Sequence, residues 1–560
     1  MPSALSRSPV LSSELLASRE PFRDGVYVVG PFAGRVSFSS QQRRAISLVC
    51  DIDNDLKTAG DHQGLRNKGV CIVGAGIAGL TCAATVATLG GEAYVYEKQP
   101  ERSRLASGRR VTIHQILPTI RDAKHRNAHP NLNFWPHEDV DPFTRLPFLN
   151  WHEGDCASVA ERFAEQLNQL MLHQEVRTRI SIRTGLSVRG IRKEDGKFKV
   201  DCVASSGSTE PWRRSFDLVI LAVGFGDERS APGMASPSYW ASLSGAIPEL
   251  RKHAFPEIKH YVVSGTGDGG LIEALTMTFG DMQAGNVHPA IADALNDGAL
   301  RNEIARVENQ AHKQYADQVL HGTGEQPSPE TRDDLSRFLW KGYEPLVDYI
   351  PEYIVTEISR SRSEIASVIL LGQWTHPMEL SSSPYHRLLT VLSQKKGWID
   401  YRRISEINAT SRNPPLRIAA DVEVTLADVW VKPHATGAAG YTLENSFFVA
   451  RHGYSSPLVE LYDNPTLIGQ IKRQQSLYAD QDSLPTERVQ RLAGILGYPD
   501  PSRTDRFFME HKRTIEAYFQ TRFNLVIEME AQRSETHFVV YGSEEASAAD
   551  GIPRVLSAAK

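Results

Sequence analysis

The sequence has few cysteines and no C-x-x-C pair. Five of its 560 residues are cysteine: Cys50, Cys71, Cys82, Cys156 and Cys202. So few cysteines in so long a chain argue against a disulfide framework, and the missing adjacent pair excludes a redox dithiol of that kind. Cys71 and Cys82 fall in a predicted strand and helix, where we interpret them as small buried apolar residues.

Long apolar runs are also missing. No run approaches the roughly 18 residues that a membrane-spanning helix needs. The N-terminus, MPSALSRSPVLSSELLASRE, has no basic segment followed by an apolar core, as a secretory signal would. We therefore expect a cytoplasmic protein that does not bind a membrane.

The sequence also lacks a large excess of either positive or negative charge. The 62 Lys and Arg residues nearly balance the 67 Asp and Glu residues, for a formal charge of -5, and no long basic run occurs. Nucleic acid is therefore not an expected partner. His125 and His129 are four residues apart, but no Glu lies between them and no third ligand is evident, so the pattern predicts no metal site.

What the sequence does contain begins with a glycine-rich turn. The apolar run from Val70 to Val73 predicts a short buried parallel strand. Directly after it, Gly74, Gly76 and Gly79 have the G-x-G-x-x-G spacing. These glycines allow a tight bend, a close approach of pyrophosphate to bare backbone, and close packing of helix on strand. The turn therefore predicts a dinucleotide site that includes the intervening Ala75, Ile77 and Ala78.

The residues that follow complete a βαβ unit. Leu80 to Leu89 is rich in Ala and Leu and predicts a helix whose N-terminus faces the phosphates, and Gly90 and Gly91 end it. A second strand, Glu92 to Tyr96, precedes Glu97. An acid at this distance from the turn accepts the hydroxyls of an adenosine ribose.

Further elements follow in an informative order. Asp155 predicts the start of a helix over Cys156 to His173, and Ile180 to Val203 predicts two strands joined by a hairpin turn at Asp195-Gly196. Phe216 to Gly224 then predicts a buried strand that ends in glycine. Before these, residues 114–154 are rich in aromatics and prolines, and they predict either a loop that lines a ligand pocket or one that covers the core.

This order resembles the FAD-binding half of flavoproteins with two dinucleotide-binding domains. The group includes flavin-containing, Baeyer–Villiger and N-hydroxylating monooxygenases and thioredoxin-reductase-like enzymes. The resemblance implies FAD as a cofactor, with contacts from the glycine turn and Glu97 and, beyond them, from Lys98, Arg109, Val188, Ala222 and Gly224. For Arg109, within Gly108-Arg109, a solvated basic loop is the equally favoured alternative.

A second fingerprint strengthens the resemblance. After a predicted strand, Lys259 to Ser264, the sequence GTGDGGLIEAL repeats the spacing at Gly265, Gly267 and Gly270 and is similar to the G-G-G-D-S-A-x-E-E-A-L motif of thioredoxin-reductase-like proteins. The resemblance implies that NAD(P)H binds here, with contacts from the three glycines, Thr266 and Asp268.

Three departures from the family pattern leave the reaction open. Val223 replaces the Thr of the closing A-T-G turn, the C-x-x-C of the reductases is missing, and so is the F-x-G-x-x-x-H-x-x-x-W-P run of Baeyer–Villiger enzymes. In addition, no strand ending in an acid or arginine follows Gly265 at about 20 residues. Two later sites are weaker candidates for binding an anion: Arg387 beside a predicted helix start, and Arg451-His452 at the end of a strand.

These features predict an α/β protein of several parts. An N-terminal extension (1–68) precedes an FAD-binding Rossmann-type domain with a β-meander (69–230). A second, interrupted Rossmann-like NAD(P)-type domain follows (258–285 and 366–455), split by a helical insertion (286–350), and an α+β C-terminal region (456–560) ends in a hairpin and a loose tail from Gly542.

We therefore hypothesise an FAD-dependent oxidoreductase that is linked to NAD(P)H, with a monooxygenase acting on a small organic substrate as the favoured subtype. A flavin amine or amino-acid oxidase is the alternative, since SGRRVT is similar to the G-G-R-x-x-T motif of amine oxidases. A non-catalytic sensor that binds flavin or NAD is a further alternative. The sequence offers no defined catalytic side chain.

Overall fold

The computed structural model describes residues 13–21, 23–30, 37–98, 127–128, 144–151, 154–204, 212–224, 227–229, 231–234, 250, 255–280, 282, 288–295, 298–321, 328–363, 365, 368–419, 422–435, 437–452, 454–455, 457–462, 464–478, 484–498, 526–532, 535–541 and 554–557. Arg109 and most of the aromatic segment at 114–154 lie outside these residues. The chain divides into two compact units, one of residues 1–144 with 151–483 and one of residues 145–150 with 484–560.

The described elements are as follows in chain order. The strands are β1 (Val26–Val28), β2 (Gly69–Val73), β3 (Glu92–Glu97), β4 (Asn127–Ala128), β5 (Gly154–Asp155), β6 (Ile180–Thr184), β7 (Leu186–Glu194), β8 (Lys197–Ala204), β9 (Trp212–Phe216), β10 (Leu218–Leu221), β11 (Asp227–Glu228), β12 (His260–Ser264), β13 (Val368–Gly372), β14 (Ile399–Ser411), β15 (Leu416–Ala419), β16 (Val422–Val424), β17 (Leu426–Pro433), β18 (Tyr441–Ala450), β19 (Tyr454–Ser455), β20 (Val526–Gln532), β21 (Glu535–Tyr541) and β22 (Arg554–Ser557). The helices are α1 (Ser13–Ser18), α2 (Phe38–Thr58), α3 (Ile77–Thr88), α4 (Cys156–Leu170), α5 (Gln174–Arg177), α6 (Asp268–Thr278), α7 (Pro289–Leu295), α8 (Gly298–His321), α9 (Pro329–Tyr343), α10 (Glu352–Arg360), α11 (Pro384–Lys395), α12 (Leu458–Tyr462), α13 (Pro465–Tyr478) and α14 (Thr486–Leu496), with a 3-10 helix at Pro345–Tyr349.

The first unit contains a five-stranded parallel sheet in the order β1-β10-β2-β3-β6. Its central strands are runs of buried apolar residues because a parallel sheet is covered on both faces. Strand β1 comes from the predicted N-terminal extension, so the sheet begins well before residue 69. The carboxyl ends of all five strands meet at one edge, and the first glycine turn lies there.

Helices near the C-terminal end of the first unit's sequence support this sheet. Leu458 of α12 and Ile468 and Ile471 of α13 share an apolar cluster with Val26 and Cys71. Gln475 of α13 also donates a hydrogen bond to the carbonyl of Val28 at 3.0 Å. The part of the C-terminal region that belongs to the first unit therefore completes the core around the first sheet.

A second set of strands contains β12, the strand that leads into the second glycine turn. Strand β12 pairs in parallel with β13 and β18, β13 pairs in parallel with β14, and the antiparallel strand β17 joins β14 to β18, which closes the five strands into a barrel. Helices α7 to α10 lie between α6 and β13 in the sequence, as the predicted helical insertion required. Their apolar residues, including Ile304 and Leu339, belong to the cluster that packs under β12 and β13.

Smaller sheets complete the described structure. Strands β7, β8 and β9 form an antiparallel meander, and Asp195 and Gly196 at the β7–β8 turn have positive φ angles of 52° and 77°, which confirms the predicted hairpin. In the second unit, β20 pairs with β21, as predicted, and β21 pairs with β22. The prediction of a loose tail from Gly542 is therefore wrong at β22. No helix in the described ranges is long and apolar enough to cross a membrane.

Candidate functional site

The first glycine turn follows β2 and leads into α3. Gly74 has a φ of +103° and donates its N–H to the carbonyl of Tyr96 at 2.7 Å. A Cβ on Gly74 would lie 2.4 Å from the carbonyl oxygen of Ala222, and a Cβ on Gly79 would lie 1.9 Å from the carbonyl oxygen of Gly74. Only glycine fits at these two positions, because strand, turn and helix are in backbone contact.

Gly76 differs from the other two glycines, and this difference tests the fit of a diphosphate. It is the N-cap of α3, and a Cβ placed on it would meet no atom of the described residues within 4 Å. The described part of the chain therefore does not require glycine here and leaves the space beside the bare backbone open. The free N–H groups and dipole of the α3 N-terminus point to this space, and they favour an anion there. The turn thus fits the pyrophosphate of FAD.

The other predicted FAD contacts surround this turn. Glu97, at the end of β3, accepts the backbone N–H of Ala75 at 2.8 Å, which places its carboxylate beside the turn. Lys98 is exposed, Val188 lies half-buried in β7, and Gly224, with a φ of +65°, follows the closing strand β10. Ile77 and Ala78 form the first turn of α3. Arg109 lies outside the described residues and stays a prediction.

The second glycine turn repeats the backbone contacts of the first. Gly265 follows β12 with a φ of +121°, and a Cβ on it would lie 2.0 Å from the carbonyl oxygen of Arg451. A Cβ on Gly270 would lie 2.0 Å from the carbonyl oxygen of Gly265. Arg451 follows β18 as Ala222 follows β10, so each turn is closed by the end of a parallel neighbouring strand. Gly267 is the N-cap of α6.

The surroundings of Gly267 nevertheless differ from those of Gly76. The atoms nearest to a Cβ on Gly267 are Oε2 of Glu379, at 3.8 Å, and Oγ of Ser381, at 3.9 Å. Thr266 is buried and donates its hydroxyl to Oε1 of Glu379 at 2.5 Å. Glu379 was not identified from the sequence because it follows a long insertion and lies beyond the end of β13.

Asp268 adds another carboxylate at the start of α6. Its Oδ1 accepts the backbone N–H of Ser383 at 2.8 Å and lies 2.6 Å from Nδ1 of His386. Burial acts to raise the pKa of Asp268, but His386 and the Ser383 amide outweigh it and hold that pKa below its usual value. The start of α6 therefore carries an ionised side chain at neutral pH.

The closing strand β18 ends in a buried ion pair. Arg451 donates from Nε and Nη2 to Oε1 of Glu273 at 3.1 and 2.6 Å, and the two residues are 4% and 0% exposed. Arg451 was considered a candidate for binding an anion, but its guanidinium lies against Glu273 of α6. Next to it, Nε2 of His452 lies 2.7 Å from Oγ of Ser264, and burial together with Arg229 lowers the pKa of His452.

Arg387 is likewise committed to internal contacts. It is fully buried and pairs with Glu308 of α8 at 2.5 Å, while Tyr343 of α9 donates its hydroxyl to the other oxygen of Glu308 at 2.5 Å. Arg387 also donates to the carbonyl oxygen of Glu379. Its guanidinium therefore links the insertion to the segment before α11. Because these internal partners engage the guanidinium, the structure does not favour binding of a phosphate by Arg387.

Four cysteines have described side chains that are poorly suited to thiol chemistry. Cys50, Cys71, Cys82 and Cys202 form no disulfide bond and are buried. Burial, together with nearby Cys202, raises the pKa of the Cys71 thiol well above its usual value, and burial raises the pKa of Cys202 to about 12. These thiols remain protonated and are weak nucleophiles. Within the described ranges, no group of three or more His, Cys, Asp and Glu side chains could hold a metal ion.

A protein-family model matches the part of the chain that contains the two turns. The family model of the pyridine nucleotide-disulphide oxidoreductases matches residues 68–288, which include both glycine fingerprints. Comparison by sequence with curated proteins gives no significant match. The family match confirms the predicted cofactors, FAD with NAD(P)H as the usual electron donor.

Several solved structures resemble the chain at low identity. Bacillithiol disulfide reductase from Staphylococcus aureus is 10% identical, with 71% of this chain and 80% of that chain covered and a TM-score of 0.31. Thioredoxin reductase from T. acidophilum is 14% identical over 75% and 100% of the two chains, with a TM-score of 0.30. Tmm from a Pelagibacter species is 9% identical over 69% and 61%, with a TM-score of 0.29. These TM-scores are too low to carry an argument about this chain. Over residues 68–288 the chain is similar to the pyridine nucleotide-disulphide oxidoreductases, and this match supports the superfamily of FAD- and NAD(P)-binding oxidoreductases.

Proposed function

We propose that this protein is an FAD-dependent oxidoreductase that takes hydride from NAD(P)H and passes the electrons to oxygen or another small acceptor, with a monooxygenase acting on a small organic substrate as the favoured subtype. FAD is assigned to the turn at Gly74, Gly76 and Gly79 with Glu97, and NAD(P)H to the turn at Gly265, Gly267 and Gly270. The observation that carries the proposal is the repeated backbone geometry of these two turns.

The thiols favour an acceptor other than a disulfide. The sequence has no C-x-x-C pair, Cys50, Cys71, Cys82 and Cys202 are buried, and the pKa values of Cys71 and Cys202 are raised. A thiol relay needs an accessible thiolate. This combination supports transfer of electrons from the flavin directly to a small acceptor.

The protein's own residues contribute binding and position. When bound, FAD supplies the redox chemistry, as flavins do in this superfamily. Gly76 leaves room for the diphosphate, the α3 N-terminus offers N–H donors, and Glu97 lies where a ribose is expected. No side chain is required to act as a nucleophile.

An anaerobic reduction experiment tests the proposal. The FAD-loaded protein is mixed with NADH or NADPH, and the visible flavin absorbance is followed. We expect bleaching in the wild type and none in Gly267→Val, which should keep its FAD because the added side chain lies at the second turn. Loss of FAD from Gly267→Val would contradict the assignment of the two turns. Admission of oxygen, with oxygen uptake and hydrogen peroxide measured, then tests the acceptor.

One observation favours a second candidate, a flavin oxidase or dehydrogenase that takes hydride from its own substrate, such as an amine or amino acid. The carboxylate of Glu379 lies beside Gly267, whereas the described residues leave the equivalent space at Gly76 open, so the second turn is less ready for a diphosphate than the first. Bleaching by an amine or amino acid, with none by NADH or NADPH, would support this candidate over the first.

A further inference from the structure

The carboxylate of Glu379 lies beside the N-cap glycine of the second turn. A Cβ on Gly267 would lie 3.8 Å from Oε2 of Glu379, in ordinary van der Waals contact, whereas a Cβ on Gly76 would meet no atom of the described residues within 4 Å. The second glycine of this motif is where a pyrophosphate approaches bare backbone. A pyrophosphate bound at Gly267 would therefore lie next to this carboxylate.

Hydrogen bonds hold the carboxylate in place. Oε1 accepts the hydroxyl of Thr266 at 2.5 Å and the indole N–H of Trp374 at 3.3 Å, and Oε2 accepts the hydroxyl of Ser381 at 3.4 Å. The carboxylate also lies at the N-terminus of α6, where the helix dipole favours a negative charge. The protein thus places one of its own anions where the motif usually accepts a phosphate.

The helical insertion fixes the backbone that carries this side chain. Arg387 donates to the carbonyl oxygen of Glu379 and pairs with Glu308 of α8. Asp333 of α9 accepts the backbone N–H of Thr375 at 2.5 Å and its hydroxyl at 3.0 Å. Both ends of the segment from 373 to 387 are therefore tied to the insertion, and the Glu379 side chain is the part that can turn away.

The negative charge around the second turn affects how well a dinucleotide can bind there. Asp268 already places an ionised carboxylate at the start of α6. A pyrophosphate bound next to Glu379 would lie close to two carboxylates, and like charges at about 4 Å repel each other strongly when partly shielded from water. Removal of the Glu379 charge lessens this repulsion, and removal of the whole side chain also frees the position.

We propose that Glu379 lowers the affinity of the second turn for a dinucleotide: its carboxylate competes with the diphosphate, and its side chain turns away when the dinucleotide binds. The inference rests on the proposed function in that it assumes that NAD(P)H binds at this turn. It adds that the protein lowers its own affinity for that ligand through an internal carboxylate.

Calorimetric titration of the FAD-loaded protein with NAD⁺ and with NADP⁺ tests this inference without any turnover. The variants are Glu379→Gln, which removes the charge, and Glu379→Ala, which also empties the space. Glu357→Gln is the matched control, since Glu357 is exposed on α10. FAD absorbance and thermal unfolding verify that each variant is folded and loaded.

We expect Glu379→Ala to bind the better of the two dinucleotides about tenfold or more tightly than the wild type, Glu379→Gln to show a smaller gain, and Glu357→Gln to show none. Addition of Gly267→Val to Glu379→Ala should abolish the gain. Unchanged, weaker or undetectable binding in Glu379→Ala would overturn the inference, and weaker binding would show that Glu379 contacts the ligand. If Glu379→Ala binds a dinucleotide tightly but its flavin is not reduced by NADH or NADPH, the proposed function fails while this inference stands.

Discussion

Gly76→Val separates FAD binding from folding more cleanly than any other change at the first turn. Gly76 has a φ of -70°, which any residue adopts, and among the residues that the structure describes a Cβ there meets no atom within 4 Å. The cost to the fold is limited to a poorer helix N-cap, about 1 kcal/mol. The valine side chain, however, fills the space that the diphosphate needs.

The loss of FAD affinity can be worked out from the contacts that the diphosphate would lose. A hydrogen bond to a charged group contributes about 1.5 to 3 kcal/mol. If two such bonds from the α3 N-terminus are lost, FAD binds about 3 to 6 kcal/mol more weakly, or roughly 10² to 10⁴-fold. Gly76→Val should therefore be purified without flavin.

The assay compares the ratio of flavin to protein absorbance after purification with the affinity for added FAD by calorimetry. Gly298→Val is the control, because Gly298 is exposed at the start of α8 and a Cβ there also meets no atom of the described ranges within 4 Å. We expect this control to keep its flavin. If Gly76→Val were folded and kept FAD with unchanged affinity, the reasoning about the first turn would be refuted.

Three further predictions concern stability. Gly79→Ala puts a Cβ 1.9 Å from the Gly74 carbonyl oxygen, so urea unfolding should show a loss of about 2 kcal/mol or more. Arg451→Met leaves the Glu273 carboxylate buried without its cation and should cost about 3 to 5 kcal/mol, whereas Arg451→Met with Glu273→Leu should recover much of this loss. Asp268 has a folded pKa below its unfolded value of about 4, so it stabilises the fold above that pH and loses this effect as the pH falls through its folded pKa. Asp268→Asn should therefore be less stable than the wild type near neutrality and approach it in acid.

Each of these predictions has an outcome that contradicts it. An unchanged urea midpoint for Gly79→Ala would mean that helix and strand are not in contact at the turn. Equal losses in the single and double variants would mean that Arg451 does not act by compensating Glu273. A stability difference for Asp268→Asn that does not shrink with falling pH would rule out the ionised carboxylate as its source.

Sequence alone identified the glycine turns because their requirements are local. Gly74 and Gly265 have positive φ angles, and Gly79 and Gly270 are in backbone contact with them. Such constraints act over a few residues and leave a fixed spacing in the sequence. The predicted strand Glu92 to Tyr96 also agrees with β3 to within one residue, since a buried parallel strand is a short apolar run between clear ends.

Features that depend on distant parts of the chain could not be predicted in this way. Strand β1 pairs with β10 and helix α13 packs against the first sheet. No local sequence motif predicts either contact. Arg387 carries a helix-start pattern, but its partner Glu308 lies in the insertion. Glu379 could not be predicted because the insertion places it far from Gly265 in the sequence, so it does not lie at the short, fixed spacing of the motif. These residues owe their positions to tertiary contacts.

Binding of FAD at the first glycine turn is the central claim. The decisive measurement is the absorption spectrum of the purified chain, followed by denaturation and identification of the released nucleotide. We predict that the wild-type protein is yellow and releases FAD on denaturation, and that Gly76→Val releases none. A colourless wild-type protein that releases no adenine nucleotide and binds no added FAD would contradict the central claim.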